Sequence, residues 1–127
     1  MTTESNIILD TIQINQKIKR IAYQIYENNT TEKEVIIAGI VGNGYVFAEK
    51  LVAALQEISS LNVVICQVNI NKKKPLENVS TSLDINEYKN KSLVLVDDVL
   101  NSGTTLIYGV KHFLEVPLKR FKTAVLV

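Results

Sequence analysis

The chain has 127 residues, 46% of them hydrophobic and 21% charged, which excludes a disordered or low-complexity protein. That length makes one ordinary domain, able to bury about two-thirds of its unfolded surface. Fourteen basic against thirteen acidic side chains leave a net charge of +1, so no overall field recruits nucleic acid or a membrane surface. The lone Cys66 excludes an internal disulfide, and inside Val63-Val64-Ile65-Cys66 it reads as a small buried hydrophobe. No run reaches the ~18 apolar residues of a membrane span, and Met1-Thr2-Thr3-Glu4-Ser5 has no basic targeting region. A cytoplasmic location is the default expectation.

In chain order, Asn6–Leu9 reads as a short edge strand. Asp10 or Thr11 then caps a helix running to about Asn28, whose apolar face is Ile14, Ile18, Ile21, Ala22 and Ile25. Asn28-Asn29-Thr30-Thr31 is a polar break, and Val35–Val41 is an apolar, β-branched strand. Gly42-Asn43-Gly44 reads as a turn into a second helix with Phe47, Leu51, Ala54, Leu55 and Ile58 on one face. Leu61–Ile70 is the next strand. Asn71–Thr81 reads as loop, carrying Lys72-Lys73-Lys74-Pro75. Ser82–Ile85 is a weak strand and Asn86–Lys91 a turn. An apolar run from Leu93 ends in Asp97-Asp98, and a third helix presents Leu106, Val110, Phe113 and Leu114 before Pro117 closes it. Phe121–Val127 is the last strand.

This alternation of strand and helix predicts an α/β fold, a doubly wound parallel sheet with helices on both faces. In such sheets ligands bind beyond the carboxyl ends of the strands, where the strand order switches. Two turns compete for that place, one after Val41 and one after Asp98. The second is the more specific: an apolar strand, two carboxylates, then Asn101-Ser102-Gly103-Thr104-Thr105 opening into a helix. Unpaired N–H groups at a helix start suit a phosphate, while carboxylates accept hydrogen bonds from hydroxyls or hold hydrated Mg²⁺.

Leu93–Thr105 resembles the fingerprint of the type I phosphoribosyltransferases: four apolar residues, two acids, two apolar residues, then a small-residue loop with Gly and Thr. The resemblance extends to Ile18-Lys19-Arg20-Ile21-Ala22, to Gly39–Ala48, and to the final Ala124–Val127. Within the family, the chain is most similar to the small hypoxanthine-type enzymes and to the pyrimidine-operon attenuator/uracil phosphoribosyltransferases. The resemblance implies transfer of the 5-phosphoribosyl group from 5-phosphoribosyl 1-pyrophosphate to a nucleobase nitrogen, with Mg²⁺ and with release of pyrophosphate. Asn101, Ser102, Gly103, Thr104 and Thr105 would wrap the 5′-phosphate. Asp97 and Asp98 would face the ribose hydroxyls and stabilise the cationic transition state, reaching any metal through water or those hydroxyls. Val41, Gly42, Asn43 and Gly44 would hold pyrophosphate, and Asn71–Thr81 would be a lid. A homodimer is implied as well.

Three features depart from the family pattern. Asn101 stands where hypoxanthine-type enzymes carry an acid suited to act as base, and an amide takes no proton at neutral pH. Gly42-Asn43-Gly44 offers backbone donors and an amide where many relatives place Lys or Arg. The sequence ends at Val127, where relatives continue into residues that contact the nucleobase, so either the single domain over 1–127 is incomplete or its base pocket is unusual. The first two departures motivate a rival reading: a regulator that binds nucleotide or phosphoribosyl pyrophosphate without turnover, with RNA as a further partner.

Blander readings stand beside these. Asp97-Asp98 is also what a helix-capping strand end looks like, and the Ser/Thr residues cap helices whether or not phosphate binds. A dinucleotide site fails because its third glycine would fall at Phe47 and no acid ends the following strand. A phosphoacceptor receiver domain would carry the acid pair after its first strand, not late in the chain. Lys72–Lys74 reads first as a solvated run and Lys19-Arg20 as helix surface. Tyr45 and Tyr108 suit packing as well as base stacking, and His112 has no second ligand at metal spacing.

Overall fold

The computed structural model describes residues 11–70, 79–97 and 103–125. Helix α1 (Thr11–Asn28) leads into β1 (Glu34–Ile40), α2 (Asn43–Ile58) and β2 (Asn62–Ile70). Then come β3 (Val79–Thr81), the single-turn α3 (Ile85–Tyr88), β4 (Ser92–Asp97), α4 (Gly103–Leu114) and β5 (Arg120–Val125). The sheet order is β3-β2-β1-β4-β5, with β1, β2, β4 and β5 parallel and the short edge strand β3 antiparallel to β2. The doubly wound class read from the alternation is the one found. The expected strand at residues 6–9 and most of the expected lid, residues 71–78, lie outside the described residues.

The unbroken apolar runs of β1 and β4 follow from their central places, since a strand covered on both faces has no polar side. Val35 and Ile37 of β1 and Val94 and Val96 of β4 pack beneath α1 and α2, with Ile18, Ala22, Ile25, Phe47, Leu51 and Leu55. Ile36, Ala38 and Ile40 of β1 and Leu93 and Leu95 of β4 face the other way, toward Tyr88 and Phe113. Each buried side chain of this size contributes roughly 1.5–3 kcal/mol. The face predicted for α1 is the face it buries. On α4, Phe113 is buried and Leu106 and Val110 partly so, but Leu114 is 66% exposed, because the helix ends there.

The sequence reading misplaces the stretch before β4. The strand expected at Ser82–Ile85 lies earlier, at Val79–Thr81, and the turn expected over Asn86–Lys91 begins inside α3. Asp84 and Glu87 explain the shift. The Glu87 carboxylate accepts the Asp84 backbone N–H at 2.9 Å, a capping-box contact that starts a helix and stops a strand. One turn later Tyr88 is fully buried, edge-on to Phe113 with ring centroids 5.3 Å apart.

Polar staples concentrate at the amino ends of the strands. Ser92 Oγ donates to Asn29 Oδ1 at 2.5 Å, and Asn29 Nδ2 donates to the Ile25 carbonyl at 2.7 Å, both buried. Lys91 pairs with Glu34 and Lys119 with Glu32. A groove of about 540 Å³ lies among these residues, at the end of the sheet opposite the strand carboxyl ends. Among the described residues no helix is long and apolar enough to cross a membrane.

Candidate ligand site at the switch in strand order

From β1 the chain crosses through α2 to β2 on one side, and from β4 through α4 to β5 on the other. The carboxyl ends of β1 and β4 therefore flank the switch in strand order, the place for which the two turns singled out in the sequence compete.

At the end of β1, Val41 still donates its N–H to the Val68 carbonyl at 2.8 Å. Gly42 then turns the chain with φ +107° and ψ −139°, a backbone conformation that residues with a side chain rarely adopt. Space does not demand the glycine, since a Cβ there would meet nothing within 4 Å. The turn is tighter than the sequence reading held: α2 begins at Asn43, and Gly44 is buried inside its first turn. The first intrahelical bond closes from Val46 N–H to the Gly42 carbonyl at 3.4 Å, so the N–H groups of Asn43, Gly44 and Tyr45 have no partner within the helix. Asn43 is exposed and Tyr45 half-buried.

Asp97 is the last residue of β4 and only 7% exposed. It lies against α2: a Cβ at Gly44 would stand 2.9 Å from Asp97 Oδ1 and 3.2 Å from the Val96 carbonyl oxygen. Gly39, one layer lower, makes the same close approach possible from β1. A Cβ there would lie 2.7 Å from Ala48 Cβ and 2.8 Å from both the Gly44 carbonyl oxygen and Tyr45 Cα. The structure thus sets Gly44, at the end of the Val41–Gly44 turn, against Asp97 at the adjoining carboxyl ends of β1 and β4. Asp98, Asn101 and Ser102 lie outside the described residues, whereas Gly103, Thr104 and Thr105 open α4.

Gly39 is a close-packing residue that the sequence reading did not single out. Its signal was present, because a glycine interrupting a β-branched run marks a close backbone approach. Other candidates sit elsewhere. Lys19 and Arg20 are exposed on α1. His112 is half-buried beside Phe113, its Nε2 is buried without a hydrogen-bond partner, and burial lowers its pKa against the opposing pull of Glu115. Cys66 is fully buried, as expected, and burial raises its thiol pKa although hydrogen bonds from Leu83 and Ser82 act the other way.

The chain matches the family model described as the phosphoribosyl transferase domain over residues 4–127. It is 31% identical over 121 residues to the bifunctional protein PyrR of Fusobacterium nucleatum, covering 90% of this chain and 68% of that protein. To the bifunctional protein PyrR of Clostridium novyi it is 33% identical over 109 residues, covering 79% and 60%. It thus spans about three-fifths of the length of several curated relatives. The fold superposes on a hypoxanthine-guanine phosphoribosyltransferase from Bacillus anthracis with a TM-score of 0.74 at 21% identity, covering 93% of this chain and 68% of that one. The corresponding enzyme of L. donovani gives 0.71 at 20% identity, covering 89% and 70%. Matched along nearly its whole length, this chain belongs to the type I phosphoribosyltransferase family.

Proposed function

We propose that the crevice between α2 and the end of β4 binds 5-phosphoribosyl 1-pyrophosphate and supports transfer of its phosphoribosyl group to a nucleobase nitrogen. The observation that carries this reading is the contact of Asp97 with the amino end of α2 at the switch in strand order. The N–H groups of Asn43, Gly44 and Tyr45, at the positive end of a 16-residue helix, suit the pyrophosphate. The 5′-phosphate falls to Asn101–Thr105 at the start of α4, and the ribose hydroxyls to Asp97 and Asp98.

Loss of pyrophosphate builds positive charge on the ribose ring, and carboxylates held beside it stabilise that charge. Burial of Asp97 strengthens the effect, because fewer water dipoles compete with the carboxylate. Mg²⁺ fits the donor set as a metal carried by its substrate. Asp97 offers a carboxylate at the crevice, and such ions are held by one or two carboxylates together with substrate phosphates. Asp97 and Asp98 would hold it through water or the ribose hydroxyls, and when bound it offsets charge on the leaving pyrophosphate. The proposal takes the working protein to be a cytoplasmic homodimer.

A second reading, a regulator that binds the same ligand without turnover, is favoured by one feature. The turn at Gly42-Asn43-Gly44 presents no cationic side chain to the pyrophosphate. Pyrophosphate release measured with guanine, hypoxanthine, xanthine, adenine, uracil and orotate in turn, with and without Mg²⁺, separates the two. Release with one base supports the transferase. A ligand-induced rise in melting temperature with no release for any base supports the regulator.

A further inference from the structure

Gly44 occupies the corner where the two halves of the crevice touch. A Cβ on it would stand 2.9 Å from Asp97 Oδ1, 3.2 Å from the Val96 carbonyl oxygen and 3.3 Å from Asp97 Cα. Two of those three neighbours are backbone atoms of β4, which cannot swing aside as a side-chain terminus can. Gly39 holds the opposite side of the same helical turn, 2.8 Å from the Gly44 carbonyl oxygen to its own built Cβ. The first turn of α2 is therefore clamped between β1 and β4, with Gly44 buried and Asp97 nearly so. A carboxylate lying at the amino end of a helix is also in its favoured place electrostatically.

We propose that Gly44 is a positioning residue: by having no side chain it lets the Asp97 end of β4 rest on the first turn of α2, and so fixes the spacing between the pyrophosphate turn and the acidic strand end. This rests on the phosphoribosyl-transfer reading above. It gives Gly44 a role distinct from the ligand contact its place in the turn suggests. A ligand that spans both sides of the crevice depends on that spacing, and a ligand held by the turn alone does not. Inorganic pyrophosphate and 5-phosphoribosyl 1-pyrophosphate are such a pair.

The test compares Gly44→Ala with the unaltered protein by calorimetric titration of each compound without Mg²⁺, so that no metal links pyrophosphate to the acidic strand end. The substitution keeps the backbone N–H, so a residue that merely donates a hydrogen bond loses nothing by it. Gly109→Ala serves as the control, a buried helical glycine whose Cβ would press only on the Leu95 side chain at 3.0 Å. The proposal expects Gly44→Ala to weaken 5-phosphoribosyl 1-pyrophosphate by about tenfold or more in Kd. Pyrophosphate affinity stays unchanged, and Gly109→Ala changes neither. Equal weakening of both compounds, or of neither, overturns it.

Should the unaltered protein bind neither compound, the functional reading falls, and a thermal cycle decides the positioning claim by itself. The loss of Tm caused by Gly44→Ala should shrink in an Asp97→Ala background, where Oδ1 is gone. A smaller loss in that background sustains the contact; an equal or larger one overturns it.

Discussion

At the residue scale, one carboxylate and one glycine carry distinct consequences. Asp98→Asn removes a charge proposed to face the ribose cation, so turnover falls at least about tenfold, ~1.4 kcal/mol of transition-state stabilisation, while far-ultraviolet circular dichroism is unchanged. Steady-state pyrophosphate release checks it. Gly42→Ala forces a side chain onto φ +107°, at a cost of roughly 1–3 kcal/mol, seen as a lower midpoint in urea unfolding. Asp97 and Gly42 were readable as special from the sequence alone, because an acid doublet ending an apolar run and a glycine between strand and helix both announce themselves locally. The contact between Asp97 and Gly44 was not readable. It joins residues far apart in the chain, and no local pattern encodes which strand ends meet.

At the scale of elements, the helices and central strands were legible because their periodicity is enforced by burial. The stripe Ile18, Ala22, Ile25 is the buried face of α1, and β1 and β4 are apolar throughout because both of their faces are covered. The stretch 79–88 was misread for a physical reason. Its capping pair, Asp84 and Glu87, outweighs the weak strand propensity around it, and Ile85, taken as a strand residue, is 52% exposed. Phe113→Ala should destabilise the protein by about 3–5 kcal/mol, since Phe113 is fully buried against Tyr88 and Phe121. Denaturant titration measures it.

Helix α4 also carries a pH dependence. Burial holds the His112 pKa below its ordinary value of 6.5, so the unfolded chain binds the proton more readily than the folded one. Stability is then full above about pH 6.5 and is lost as pH falls from there through the folded pKa. His112→Gln should flatten the difference in Tm between pH 7 and pH 5, and an unchanged slope would remove His112 from the account.

At the scale of the whole molecule, the polar staples at the amino ends of the strands are separated from the crevice by the length of the strands. Ion pairs at Lys91–Glu34 and Lys119–Glu32 and the buried Asn29–Ser92 bond hold the amino ends together. Among the described residues, the carboxyl ends of β1 and β4 carry close-packed glycines, helical N–H groups without an intrahelical partner and a buried carboxylate. This polarity follows from the doubly wound topology, which points every parallel strand the same way and leaves its switch at one end. The measurement that bears most directly on the account is a titration of ¹⁵N-labelled protein with 5-phosphoribosyl 1-pyrophosphate and Mg²⁺, followed through the backbone amides. The account predicts large shifts at Asn43, Gly44, Tyr45 and Gly103–Thr105. Shifts confined to Lys33, Asn62, Lys91 and Lys119 around the opposite groove, with the amino end of α2 silent, would contradict it.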